Sequence, residues 1–404
     1  MIDKKFKPSL ASEMECSGCM ACIDACHHSA LSVEVGSDGH YYPHFLVEKC
    51  VQCGACEKVC PIKADIKYGE NIGISEPFGV WSRDKELSRQ SASGGAFAAI
   101  AAYVLGKGGY VVGAISEGDT VKHVIINSLD QLWMLQGSKY IQSNISGIYR
   151  EVKKLLVSGK QVLFTGTGCQ VAALLCFLKK KYNNLFTIDL ICAGVPSRLL
   201  ITRFCEEEKV KPLMIRWRDK ENGWQHGLQL TILSSNSSKK WKTENCFLGG
   251  GFLGNLTSRY SCYNCKFTGT DRKSDLTIGD FWGCQNWKEQ QYDGISLLIV
   301  HSSAGKELMR KSNLEVNKVT WRECISFNPR IVTGKNPLRW TLIERSMINF
   351  FFQKLSYKTL NKVYAGSVKR SDLLWLPYKI LTNIRWRLTN LLVKRKINKI
   401  LKKL

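Results

Sequence analysis

Apolar residues at Ala96, Phe97, Ile100, Ala101 and Val104 recur at the steps of a helix's buried face. They follow Ser91, Ala92, Ser93, Gly94 and Gly95, a small-residue helix start. Gly109 to Ile115 reads as a buried strand. Between Ile148 and Gly194 the pattern predicts helix over 148–157, strand over 161–165, helix over 170–182 and strand over 186–191. Strand, helix, strand in that order predicts a parallel, right-handed unit whose ligands gather at the strands' C-terminal ends. From Asn222 the chain reads as loop-rich, with a Ser-Ser-Asn-Ser-Ser turn at 234–238, and Asp275 to Gly279 reads as a further strand. After Pro377, apolar residues recur at Ile380, Leu381, Ile384, Leu388, Leu391 and Leu392, then resume out of phase at Ile397, Ile400, Leu401 and Leu404. Basic residues between them make this a basic amphipathic helix.

The length of 404 residues suggests two or three domains, and 44% apolar with 23% charged residues excludes a disordered or fibrous chain. The formal charge of +24 is unevenly spread: residues 1–75 hold 7 Lys and Arg against 10 Asp and Glu, whereas residues 335–404 hold 17 against 2. The excess describes a tail more than a body. No apolar stretch follows the N-terminus, and the longest ones, near Ala96 to Leu105 and Val171 to Leu178, are too short to span a bilayer. A cytoplasmic protein is expected, in which clustered cysteines serve metals or redox chemistry rather than disulfides. The tail suits an anionic inner-membrane surface, giving peripheral attachment, or it packs on the body with a solvated basic face. Nucleic acid ranks last as a partner, because no recognisable binding motif accompanies the charge.

Eight of the 17 cysteines lie between Cys16 and Cys60. Cys16-x2-Cys19-x2-Cys22-x3-Cys26 and Cys50-x2-Cys53-x2-Cys56-x3-Cys60-Pro61 each have the bacterial ferredoxin spacing, in which a tight loop supplies three thiolates and the fourth cysteine crosses to the other cluster. This assigns Cys16, Cys19, Cys22 and Cys60 to one 4Fe-4S cluster, and Cys50, Cys53, Cys56 and Cys26 to a second. A pair of zinc sites is the alternative, but it gives no reason for a doubled four-cysteine run. Cys169 and Cys192 follow the two strands of the parallel unit, and Cys262-x2-Cys265 adds two more thiols. These four could hold a third 4Fe-4S cluster, or be buried free thiols. Cys176, Cys205, Cys246, Cys284 and Cys324 have no partner at ligand spacing and read as core thiols.

Six phrases in order then resemble one family: Ser91 to Gly95, Gln136 to Ser143, Gly166-Thr167-Gly168-Cys169-Gln170, Cys192 to Pro196, Arg218-Asp219-Lys220 with Gly223-Trp224, and Cys262-x2-Cys265 leading to Asp275, Gly279 and Asp280. With the ferredoxin-like run in front, residues 10 to about 335 resemble the coenzyme F420 hydrogenase/dehydrogenase beta-subunit family. The resemblance implies a flavoprotein that binds FAD and iron-sulfur clusters. Such a protein passes electrons between a two-electron carrier, typically the 5-deazaflavin coenzyme, and one-electron partners. Gly168 and Ala193 stand where the family carries proline and histidine, which leaves the hydride partner open. Ser93, Gly94 and Gly95, and Gly166, Thr167 and Gly168, are candidate phosphate contacts through backbone N–H groups, with Ser138 and Lys139 as polar contacts to the pyrophosphate or flavin ring. Gly249 to Gly254 fits G-x-G-x-x-G formally but follows no clear strand and is rejected as a dinucleotide motif.

The expected architecture is multidomain, α+β with α/β. It comprises a 2x 4Fe-4S ferredoxin lobe (1–75), an α/β flavin and iron-sulfur domain with a parallel βαβ unit (76–335) and a basic helical C-terminal region (336–404). The expected activity is flavin-dependent iron-sulfur oxidoreduction between a hydride donor or acceptor and one-electron partners, with a redox partner protein or small hydride carrier. The alternative is a non-catalytic electron-carrier subunit docking on another redox enzyme. No catalytic residue is assigned.

Overall fold

The structure is a computed structural model that describes residues 7–64, 74–224, 229–235, 237–242, 256–333, 345–347, 349–350, 354–364 and 376–402. Cys246, the Gly249–Gly254 run and most of the stretch between lobe and body lie outside these residues.

In the N-terminal lobe, helices α1 (Ala21–Ala25) and α2 (Ala55–Lys58) follow the two cysteine loops, and strands β1 (Leu31–Val35) and β2 (Tyr41–Phe45) pair antiparallel between them. This hairpin escaped the sequence reading because the cysteine spacing dominates its surroundings. The body then contributes β3 (Glu76–Ser82), α3 (Lys85–Gln90), α4 (Ala96–Gly106), β4 (Tyr110–Glu117), β5 (Thr120–Ile126), α5 (Leu132–Leu135), β6 (Ser143–Asn144) and α6 (Ile148–Val157). Next come β7 (Val162–Thr167), α7 (Gly168–Leu178), β8 (Leu185–Leu190), α8 (Leu199–Glu207), β9 (Met214–Arg216), β10 (Gln229–Ser234) and β11 (Ser237–Lys242). The remaining elements are α9 (Tyr260–Tyr263), β12 (Leu276–Asp280), β13 (Ser296–Val300), α10 (Ser303–Lys311), β14 (Leu314–Lys318), α11 (Trp321–Phe327), α12 (Arg330–Thr333), α13 (Tyr357–Tyr364) and α14 (Leu376–Leu401).

Nine strands form one mixed sheet in the order β14-β3-β13-β12-β8-β7-β4-β5-β6. Its centre, β12-β8-β7-β4, is parallel, as expected for β7-α7-β8, and antiparallel strands flank it on both sides. The loop-rich expectation for 222 onward needs correction. β10 and β11 form an antiparallel hairpin there, with β9 beside β10, because Leu230 and Ile232 alternate inward and are fully buried. The hairpin's last pair is Ser234 with Ser237.

Alternation along the central strands feeds two cores. Val111 and Leu163 face the side covered by α4 and α10, while Val112, Val162 and Phe164 face α6 and α7. Cys19, Met20, Ala21, Ala25 and Val59 pack into that second core, so the ferredoxin-like lobe rests on the α6/α7 face. Cys205 and Cys324 are buried thiols; Cys176 and Cys284 are half-buried.

Three enclosed imidazoles tie segments together. His40 lies 3.0 Å from Asp38 and 3.1 Å from the Val195 carbonyl, His123 pairs with Ser143 Oγ at 2.7 Å, and His301 sits between Ser75 Oγ and Thr277 Oγ1 at 2.7 and 2.8 Å. Burial pushes His123 down to about 4 and His301 to about 3, and holds His40 below its ordinary value despite the opposing pull of Asp38. The unfolded chain protonates these imidazoles as pH falls through 6.5, while the fold keeps His123 and His301 neutral, so unfolding takes up protons. Stability is expected to decline from pH 6.5 toward 4, by up to about 1.4 kcal/mol per pH unit for each of His123 and His301. Urea midpoints at pH 7 and 5 check this: the decline should shrink in His123→Asn, and a flat wild-type profile refutes it.

Candidate functional site

The two N-terminal cysteine loops wind alike. Gly18 and Gln52 have φ of 69° and 57°, and Met20 and Gly54 have 63° and 67°, at matching positions in the two runs. A left-handed conformation is costly for Met and Gln, and its recurrence at the same steps turns successive N–H groups toward the loop's interior. Cys16 Sγ accepts from Gly18 N–H and Cys50 Sγ from Gln52 N–H, both at 3.4 Å, and Cys26 Sγ accepts from Ala30 N–H at 3.3 Å.

The thiols are neighbours in two sets. Burial pushes the Cys19 thiol up to about 12, and the adjacent Cys16 and Cys60 push the same way. Burial likewise raises Cys22, beside Cys19, Cys16, Cys60 and Cys56, and takes Cys56 to about 11, with Glu57 and Cys26 adding to it. Cys26, Cys50, Cys53 and Cys56 line one pocket with Pro8, Leu31, Phe45 and Val51. Thiols packed this closely resist ionising together unless a cation joins them, and this donor set suits iron.

A second constellation lies at the C-terminal ends of β7 and β8. Cys169 sits in the first turn of α7, 3.1 Å from Thr167 Oγ1, and Cys192 accepts from Gly194 N–H at 3.3 Å. Burial raises the Cys169 thiol, with Cys265 and Cys192 adding to it, and takes Cys265 to about 12, with Cys262 adding most among its charged neighbours. Arg272 faces Cys265 and Arg330 faces Cys192. Arg272 is also locked to Asp189 at 3.1 Å in full burial, while its Nη2 group has no hydrogen-bond partner. Among the described residues, no three His, Cys, Asp or Glu side chains converge on the point a single ion would take. The same holds for the eight N-terminal thiols, so in both regions the thiols are neighbours that do not close on one point.

The two regions touch. Tyr149, fully buried, donates to the Cys19 carbonyl at 2.9 Å and reaches the Gln170 carbonyl at 3.5 Å, with Cys19 and Cys169 both beside its ring. Arg259 forms the firmest link. Its Nε donates to Cys16 O at 2.6 Å and its Nη1 to Tyr41 O at 2.9 Å and Gln142 Oε1 at 3.1 Å, and the guanidinium lies 4.0 Å from the Tyr42 ring centre. Gln142 in turn donates to Gly18 O at 3.2 Å. A Cβ at Gly18 would stand 2.2 Å from Gln142 Nε2 and 2.8 Å from Arg259 Nη1, so only glycine fits. Behind this clamp, Arg345 donates to Asp38 at 2.8 Å, and Asp24 accepts from Gly147 and Tyr149 N–H at the start of α6.

The sequence-derived flavin contacts also gather at the C-terminal strand edge, but several are committed inside the fold. Ser93 Oγ donates to Ile295 O at 2.8 Å, and a Cβ on Gly94 would stand 2.7 Å from Val80 O. Gly95 starts α4 with φ of 82°. Lys139 Nζ donates to the carbonyls of Met134, Leu135 and Gln136, capping α5, and burial lowers it to about 7. Thr167 closes the capping box of α7 with Gln170, a Cβ on Gly166 would stand 2.9 Å from Gln170 Oε1, and Gly168 backs onto the Phe267 carbonyl. Ser138 hydrogen-bonds Tyr140.

Beside them stands a polar and aromatic group outside the candidate site residues; the phrases contain Tyr140, Arg218, Lys220, Trp224 and Asp280 but stop short of Trp282. Arg218 pairs with Asp280 at 3.2 Å and with Tyr140, and lies 4.8 Å from the Trp282 ring centre. Trp282 stacks on Trp224 at 4.7 Å, and Trp224 Nε1 donates to Asp280 at 3.0 Å. Lys220 donates to the carbonyls of Ser88, Ser93 and Asp293, and burial lowers it to about 8. Arg218 Nη2 is buried without a hydrogen-bond partner. The signal that would have found this group is the conjunction of Arg218, Trp224 and Asp280 across two phrases.

Residues 159–320 match the family described as the C terminus of the coenzyme F420 hydrogenase/dehydrogenase beta subunit, and residues 15–64 match the 4Fe-4S dicluster domain. A chain of the F420-reducing NiFe hydrogenase complex from Methanosarcina barkeri, solved as a xenon derivative, is similar with a TM-score of 0.43 and 15% identity, over 73% of this chain and 91% of that chain. None of the curated proteins compared matches this chain.

Replacing Arg259 with Met leaves the Cys16 carbonyl without a donor, while Tyr41 O keeps Gln142 Nε2 at 3.4 Å and Gln142 Oε1 keeps the Tyr41 N–H at 2.7 Å, and should cost about 1–3 kcal/mol. The urea midpoint should fall, and Arg259→Lys should recover only part of the loss because one ammonium cannot span the three positions. An unchanged midpoint in Arg259→Met would show that the clamp contributes nothing.

Proposed function

From a chain that joins a 4Fe-4S dicluster domain to a C-terminal domain of the coenzyme F420 hydrogenase/dehydrogenase beta-subunit family, we propose a flavin- and iron-sulfur-dependent oxidoreductase. It moves electrons between a hydride carrier at the strand edge and a one-electron protein partner at the N-terminal lobe. When bound, FAD exchanges two electrons and the 4Fe-4S clusters exchange them singly. Cys16, Cys19, Cys22 and Cys60 hold one cluster, Cys50, Cys53, Cys56 and Cys26 a second, and Cys169, Cys192, Cys262 and Cys265 a third.

The observation that carries this reading is the unbroken succession of neighbouring thiols. Cys169 lies beside Cys19, and Cys22 beside Cys56. Tyr149 and Arg259 hold the intervening backbone still, so distances along the relay do not depend on a hinge between lobes. At the strand edge, Arg218 Nη2 is a buried donor with its charge only partly answered by Asp280, which suits an anionic or carbonyl group of a flavin or hydride carrier. Trp282 offers a planar wall beside it. Because Gly94 and Lys139 are committed internally, Arg218, Tyr140 and Trp282 take over the direct contacts, and Ser93, Gly94, Gly95, Ser138, Lys139, Gly166, Thr167 and Gly168 shape the edge that positions them.

That internal commitment also favours a second reading, an electron-carrier subunit without flavin. Anaerobic reconstitution of the full chain separates the two. About twelve irons with one flavin are expected for the oxidoreductase, while eight irons and no flavin would leave the carrier. In Cys169→Ala the iron content is expected to drop by about four per chain, with the ferredoxin-like clusters intact by electron paramagnetic resonance. Unchanged iron in that variant removes the third cluster.

A further inference from the structure

Helix α14 carries two apolar stripes rather than one. Ile397 and Ile400 are 9% and 3% exposed and pack with Val393 and Leu401 against Trp321, Cys324, Ile331 and Val332 of α11 and α12. Ile384, Leu388, Leu391 and Leu392 are 49, 45, 47 and 46% exposed. At 3.6 residues per turn the second set falls on one face, roughly 180° from the first. The body therefore anchors the last turns of the helix and leaves the other stripe in solvent.

Charge defines what could cover it. Residues 376–404 contain no Asp or Glu, and they carry Lys379, Arg385, Arg387, Lys394, Arg395, Lys396, Lys399, Lys402 and Lys403. On the helical wheel Arg387 and Lys394 border one edge of the exposed stripe and Lys396 the other, and Arg395 and Lys399 continue its line. A second copy would set this basic rim against its own like. A nucleic acid would answer the charge and give the apolar stripe nothing to bury. An anionic bilayer does both, taking the aliphatic side chains below its headgroups and the basic rim at their level. No helix among the described residues is long and apolar enough to cross a membrane, so the geometry is of a helix lying on one.

We propose that the exposed stripe of α14 docks the protein, in the plane of the interface, on a membrane surface rich in anionic phospholipid. This goes beyond the redox reading and does not rest on it.

Vesicle flotation of the full reconstituted chain tests the proposal. Protein should float with vesicles of phosphatidylcholine mixed with phosphatidylglycerol and stay behind with phosphatidylcholine alone. Leu388→Gln with Leu391→Gln should reduce binding at least about tenfold. Neutralising Arg387 and Lys394 to Gln should reduce it by roughly fivefold per residue. These side chains face solvent, so iron content and urea midpoint serve as controls that the variants remain folded. Absence of flotation, or flotation indifferent to the apolar pair, overturns the proposal. So does light scattering that shows a wild-type dimer dissolved by Leu388→Gln with Leu391→Gln, which would assign the stripe to a second copy. Preferential co-sedimentation with RNA, unaffected by the apolar pair, would assign the face to nucleic acid.

Discussion

The buried side chain of Arg259 sets the distance on which the rest of the molecule depends. It leaves the body three residues before Cys262 and ends on the carbonyl of Cys16, so one guanidinium spans from the second thiol constellation to the first cysteine loop. Its partners are backbone carbonyls and an amide oxygen, which cannot adjust their charge to compensate for its loss. Gln142 completes the arrangement from the opposite side and explains why Gly18 has no room for a side chain. Lobe and body are thereby tied together where the first cysteine loop approaches the second constellation.

Burial and charge act together around the thiols. Every thiol in the first loop and in the α7 turn whose acidity is displaced moves upward, and in each case burial leads. A protein gains nothing by collecting such groups unless a cation meets them. N–H donors at Gly18, Gln52, Ala30 and Gly194 are already turned to sulfur before any metal is considered. Positive charge from Arg272 and Arg330 stands beside the second constellation.

Sequence reading went furthest where the determinant is local. The cysteine spacing, the α6 span at 148–157 and the parallel β7-α7-β8 unit are encoded within short windows, and the structure follows them closely. The β10-β11 hairpin was equally local, but the serines that follow Leu233 read as loop and masked the short alternation of Leu230 and Ile232. What escaped were long-range pairings: Arg259 with Cys16 across 243 positions, Asp38 with Arg345 across 307, Arg218 with Asp280 across 62. No window contains both partners, so a phrase such as Gln136 to Ser143 could be noticed while the role of Gln142 could not. For the same reason glycine and lysine at a strand edge read as phosphate contacts, although Gly94 meets the β3 backbone and Lys139 turns back on α5.

The phase break near residue 393 shows how a pattern acquires meaning only in place. In sequence it is a blemish in one amphipathic helix, and over the whole span the two stripes cancel. Once Ile397 and Ile400 are seated on α11 and α12, the break becomes a half-turn of the apolar face from protein to solvent. A helix that only needed to pack on the body would keep its phase and put lysine and arginine where Ile384, Leu388 and Leu391 now stand. Four large aliphatic side chains held in water on one face, inside a segment with no acidic residue, are unfavourable for the isolated chain. Their arrangement suits a helix anchored at one end to the body and at the other to a surface that body does not supply.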